Sequence, residues 1–189
     1  LPIKDPLLQQ SMRNHTWTFG ELVSDLRVLP PGRSFGVGKQ LFSVASCAGC
    51  HKLDNEGHAF GPDLAKLDAK KRSLEYILRS IVVPSQEIDP KYKAHVFQLD
   101  TGTTVTGMIV DSPSSDEVQV LVDPLAKADP MSIKKNEIEA RKVSDISPMP
   151  TGLLNRLTRE EILDLVAFVL SGGDSKHELY GEAHHHHHQ

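Results

Sequence analysis

The chain has 189 residues, 39% hydrophobic and 24% charged, with a formal net charge of −4 spread over interleaved acidic and basic positions. That length supports one domain, or one domain with a subdomain, around a core that needs no disulfide staples. The charge pattern excludes the basic stripe of a nucleic-acid binder, and no apolar run approaches the ~18 residues of a membrane span.

The start, Leu1-Pro2-Ile3-Lys4-Asp5, lacks a basic stretch followed by an apolar one, so we expect either a mature product or a piece cut from a longer protein. Residues 1–30 read as a polar lead-in. Its best segment is a helix from Thr18 to Leu29, where Phe19, Leu22, Val23 and Leu26 recur at helical spacing. Pro30-Pro31-Gly32 breaks it. Trp17, the one tryptophan, reads as a core anchor or as cover for the edge of a bound group. A second helix is predicted from Ser34 to Val44, and Gly38 within it calls for a packing reason, since glycine costs roughly 1 kcal/mol against alanine there.

That helix runs directly into Cys47-Ala48-Gly49-Cys50-His51, which holds both cysteines of the chain. A C-x-x-C-H run reads as a c-type haem attachment site: two thiols three positions apart can each bond one vinyl-derived carbon of a porphyrin. The adjacent imidazole is then held under the iron. A redox C-x-x-C would want a βαβ setting, and a zinc site would want four ligands; the sequence offers neither.

After a loop containing Gly61-Pro62-Asp63-Leu64 comes a predicted helix from Ser73 to Val83, capped by Ser73 and stopped by Pro84. From Ala94 the period becomes alternating. Val96–Leu99, Thr104–Val110 and Glu117–Val122 read as strands, the last with Val118, Val120 and Val122 on one face. Met131–Ile133 and Ile138–Val143 can add two more, giving a small antiparallel sheet or barrel whose ends, Ala94 and Val143, should lie close together. The final helix opens on a Thr158/Glu161 capping box, buries Ile162, Leu165, Val166 and Val169, and ends at Gly172-Gly173. His184 to His188 read as an expression tag, or as a native run able to bind divalent metal adventitiously.

The sixth position on the iron decides between electron transfer and chemistry on a small ligand. Met149 is the first candidate: Pro148 and Pro150 flank it and fix the direction of the backbone. Met108 and Met131 read as core filler and Met12 lacks context. A histidine (His58 or His95) or an open position are the alternatives. Pro62 can offer its carbonyl to the other N–H of His51, or can simply form a Gly-Pro turn.

These residues resemble class I cytochrome c. Gly38 and Phe42 stand before C-x-x-C-H as in that family's first helix, and the resemblance implies that the glycine allows close crossing of a terminal helix whose aromatic is Phe168. Gly61-Pro62 is similar to the family's proline loop and Pro148-Met149-Pro150 to its axial methionine loop. The match is nearest to the haem-binding domain of planctomycetes and verrucomicrobia, through Gly32-Arg33-Ser34-Phe35, Gly61-Pro62-Asp63-Leu64, Pro84-Ser85, Thr106-Gly107, Met149-Pro150-x-Gly152-Leu153-Leu154 and Leu157-Thr158-x-Glu160-Glu161.

The expected architecture is a mostly α cytochrome c core with an inserted antiparallel β subdomain, α+β overall. It comprises a lead-in over 1–30, a haem core over 31–93 and 144–173, a β-rich insertion over 94–143, and a tail over 174–189. The expected function is a monohaem electron carrier with one covalent haem c: Cys47 and Cys50 attach it, His51 and Met149 ligate the iron, and Pro62 orients His51. The chain itself would catalyse nothing. Its partners would be redox proteins or a fused dehydrogenase domain of an exported protein, in a periplasmic or other extracytoplasmic setting. A peroxidase-type enzyme with an open distal site, and a haem-based sensor or interaction module, are the competing expectations.

Overall fold

A computed structural model of the chain describes residues 14–24, 28–111, 114–126 and 129–181. Met12, the histidine run and the stretch 25–27 of the first predicted helix lie outside these. The chain divides into two units, one from residues 1–83 and 151–189, the other from 84–150.

The first unit holds four helices among its described residues: α1 (Phe19–Val23), α2 (Phe35–Val44), α3 (Leu74–Val82) and α4 (Arg159–Leu170). Each starts where a hydroxyl side chain satisfies an otherwise orphaned backbone donor. Ser34 Oγ accepts from the Val37 N–H at 3.3 Å and Ser73 Oγ from the Tyr76 N–H at 3.1 Å. Thr158 and Glu161 form the reciprocal box on α4, and Thr18 and Glu21 form a second one on α1 that the sequence reading did not single out. α1 is shorter than the periodicity predicts: the described helix ends at Val23.

α4 buries more than one stripe. Beyond the four predicted residues, Leu163, Ala167 and Phe168 are also buried, so the helix is enclosed on most of its circumference. It crosses α2 at Gly38, where an added Cβ would run into the Asp164 carbonyl oxygen and lie 2.9 Å from Phe168 Cβ. This is the packing reason that a glycine inside a helix demands. Phe168 then meets Phe35 and Phe42 edge to face, with ring centroids 5.4 and 5.6 Å apart, a geometry favoured by the ring quadrupoles. Asp164 Oδ1 accepts the Ser34 N–H at 3.0 Å, which fixes the start of α2 to the same helix.

The second unit is a five-stranded antiparallel sheet: β1 (His95–Leu99), β2 (Thr104–Val110), β3 (Glu117–Leu121), β4 (Met131–Lys134) and β5 (Ile138–Val143), in the order β4-β3-β2-β1-β5. β4 and β5 end the order on opposite sides, yet one 3₁₀ turn, Lys135–Glu137, joins them. In a flat sheet they would stand ~19 Å apart at the usual strand spacing. A turn of that kind advances only about 2 Å per residue, so the sheet must curl upon itself. Phe97, Val105, Val120 and Ile133 fill the inside, with Leu99, Val118 and Ile138 packed against them.

Val122 departs from the expected inward face. β3 stops at Leu121, paired to Met108, and Val122 at the following bend is 52% exposed. The ends of the strand-rich segment do meet: His95 pairs with Val143, and the Ser144 N–H donates to the Ala94 carbonyl at 2.9 Å.

Candidate functional site

α2 ends at Val44 with Ala45 as its C-cap, and Ser46 takes a left-handed conformation (φ 63°) that turns the chain out of the helix and into the cysteine motif. Cys47–Gly49 form one 3₁₀ turn. The N–H groups of Cys50 and His51 both donate to the Cys47 carbonyl, at 3.2 and 3.0 Å. Both sulfurs and the imidazole are therefore presented from a single tight turn. The setting is a helix end and not a βαβ unit, and burial pushes the Cys47 thiol up to about 12. A reactive disulfide-exchanging cysteine needs the opposite shift.

The loop that follows is knitted back onto the motif. Gly61 N–H donates to the Cys50 carbonyl at 2.7 Å, His58 N–H to Ala48 at 3.1 Å and Leu64 N–H to Lys52 at 2.9 Å. Lys39 of α2 pins its tip through Asp54 Oδ2 at 2.7 Å and Glu56 Oε1 at 3.3 Å. The return brings the Pro62 carbonyl to 2.9 Å from His51 Nδ1. A carbonyl only accepts, so the proton sits on Nδ1 and the lone pair on Nε2. Burial lowers the His51 pKa, with the Pro62 bond pulling the other way, so the ring is neutral at neutral pH.

Gly61 closes over the same ring. A Cβ there would sit 2.6 Å from Cε1 and 2.8 Å from Nδ1 of His51. The Gly-Pro pair thus acts twice, the glycine by letting backbone lie against the imidazole and the proline by accepting its proton. The sequence shows the pair but only half of its use, because a missing side chain leaves no chemical signal.

The structure brings Cys47, Cys50, His51 and Pro62 together on this turn and its return loop. Met149 belongs to the second unit, half-buried, with its N–H donating to Ser147 Oγ at 3.1 Å. Met108 is buried in β2, and Met131 is 47% exposed on β4. His58 stacks on Phe60 at 5.6 Å, and His95 accepts from Arg141 Nε at 3.1 Å. Trp17 donates from Nε1 to the Leu157 carbonyl at 3.1 Å, just ahead of α4.

Among the described residues no three His, Cys, Asp or Glu side chains gather where they could hold a metal ion, so a four-ligand zinc site has no donor set. The donors at the turn fit haem iron instead: a neutral imidazole with its lone pair on Nε2, beside two cysteines three positions apart on the same turn. No helix among the described residues is long and apolar enough to cross a membrane.

No curated protein matches the chain. Residues 37–108 match the family model of cytochrome c. The matched stretch contains Cys47, Cys50, His51 and Pro62 and stops inside β2, short of Met149 and α4. That match supports a class I cytochrome c, and it implies covalently bound haem c with its iron in a haem-binding electron carrier.

Proposed function

We propose that the chain is a monohaem c-type cytochrome that passes single electrons between protein partners and catalyses nothing itself. In this reading it is the electron-accepting domain of a larger exported, dehydrogenase-like protein of the planctomycete and verrucomicrobia type, working in the periplasm. One observation supports it above the others: His51 shares one turn with both cysteines and has its Nδ1 proton committed to Pro62, which leaves Nε2 for iron.

When bound, haem c supplies a one-electron couple between ferric and ferrous iron. The protein's part is to attach, orient and tune. Cys47 and Cys50 would hold the group covalently through their sulfurs. Pro62 accepts from Nδ1–H and so raises the basicity of His51 as a ligand. Met149, as sixth ligand, raises the potential relative to a second nitrogen ligand.

Acid–acetone extraction of denatured protein should leave the chromophore on the chain, and Cys50→Ala should weaken that retention sharply. Oxidised protein should show the weak thioether-to-iron charge-transfer band at the red end of the visible spectrum. Met149→Ala should abolish the band, admit cyanide and lower the potential. Freely extracted haem in the wild type would overturn attachment. A band lost in Met108→Ala or Met131→Ala but kept in Met149→Ala would overturn the ligand assignment. Cyanide binding to the wild type as tight as to Met149→Ala would favour the peroxidase-type reading.

A further inference from the structure

The segment that carries Met149 has no regular secondary structure, so its backbone must be held by other means. Over residues 147–150 the chain offers two N–H donors, because Pro148 and Pro150 have none. Both are taken by serine hydroxyls. The Met149 N–H donates to Ser147 Oγ at 3.1 Å, and the Ser147 N–H donates to Ser85 Oγ at 3.0 Å. One step earlier the same device recurs, with the Ile146 N–H on Ser144 Oγ at 3.1 Å and the Ser144 N–H on Ala94 O at 2.9 Å.

The bonds accepted by the Ser147 and Ser144 hydroxyls are local turns, whereas the Ser144 N–H reaches back to the Ala94 carbonyl beside β1. The Ser85 bond is different in kind. It spans 62 positions and ties the methionine segment to the first turn after Pro84, where the chain leaves α3. Ser85 is exposed, so no burial argument explains its placement, and its hydroxyl accepts the one donor in the segment that no neighbouring side chain satisfies.

We propose that Ser85 is a positioning residue for the sixth ligand: through Ser147 it sets the backbone from which Met149 reaches the iron. The proposal rests on Met149 being that ligand. Two proline-fixed φ angles and two hydroxyl-accepted N–H groups leave the segment one preferred course, and Ser85 supplies the only anchor among these that lies outside the segment itself. Loss of its hydroxyl frees the Ser147 N–H to water and lets the loop swing, which shortens the lifetime of the iron–sulfur bond without removing the sulfur.

The test uses the full haem-loaded chain with cyanide as the probe. Ser85→Ala should keep the red charge-transfer band yet raise the rate of cyanide binding to ferric protein about five-fold, the weight of one neutral hydrogen bond. Ser85→Thr, which retains the hydroxyl, should return the rate to the wild-type value. The denaturation midpoint of Ser85→Ala should fall by no more than the loss of that one hydrogen bond allows, and that of Ser85→Thr should match the wild type. An unchanged cyanide rate in Ser85→Ala, or a Ser85→Thr rate as high as that of Ser85→Ala, would overturn the proposal. Persistence of the band in Met149→Ala would remove the ligand reading itself, by a separate measurement, and this proposal with it.

Discussion

At His51 two neighbours constrain one ring from two sides: Pro62 accepts its proton at 2.9 Å, and Gly61 leaves no room beside Cε1 and Nδ1. Gly61→Ala therefore has a definite expected effect. The added methyl forces the ring to rotate or shift by a few tenths of an ångström, and the bond to Pro62 lengthens. Weaker withdrawal of the Nδ1 proton makes His51 a poorer donor to ferric iron, so the midpoint potential should rise. A hydrogen bond worth about 1 kcal/mol converts to ~40 mV for one electron, which bounds the shift. Potentiometry on wild type and Gly61→Ala checks it, and a fall in potential would contradict the role given to Pro62. Cys47, Cys50 and His51 could be read from the sequence because their chemistry lies in residue types at adjacent positions. Ser85 could not, because its hydroxyl gains meaning from a backbone N–H 62 positions away, and serine has many uses.

Among the elements, the crossing of α2 and α4 carries the packing of the first unit. Gly38 meets the Asp164 carbonyl and Phe168, and both phenylalanines of α2 meet Phe168 edge to face. Gly38→Ala raises helix propensity, which by itself would stabilise. The contact decides otherwise, since the methyl would enter backbone that cannot give way as a side chain can. Overpacking of this kind costs about 1–3 kcal/mol, so guanidinium unfolding of Gly38→Ala should show a lower midpoint at unchanged slope. A midpoint equal to or above that of wild type would mean that the helices separate at no cost. Helix starts were legible to within a residue at Ser34, Ser73 and Thr158, since a cap is a local hydroxyl before a local apolar pattern. The end of β3 was not. Val118, Val120 and Val122 alternate perfectly, and only the pairing of Leu121 with Met108 shows where the ladder stops.

For the whole molecule, the two units raise the question of which parts the redox centre requires. The strand-rich segment has its own apolar interior around Phe97, Val105, Val120 and Ile133, and its two ends are joined by the Ser144–Ala94 hydrogen bond. A segment that leaves and returns at one place can be excised with a short closure, and shortening a loop lowers rather than raises the closure entropy. Replacement of 95–142 by a brief Gly/Ser linker removes all five strands apart from Val143, but keeps Pro84, Ser85, Ser147 and Met149. If the sheet is a docking or covering element, this variant should still take up covalent haem and still show the red thioether band. Its ligand exchange should be faster than in wild type, because the linker holds Ala94 and Ser144 together less rigidly than paired strands do. Haem content per chain, the ferric spectrum and the cyanide rate measure these three outcomes in turn. Loss of haem incorporation, or a change of axial ligand, would show instead that residues 95–142 build part of the iron's surroundings, and that the centre depends on the whole chain.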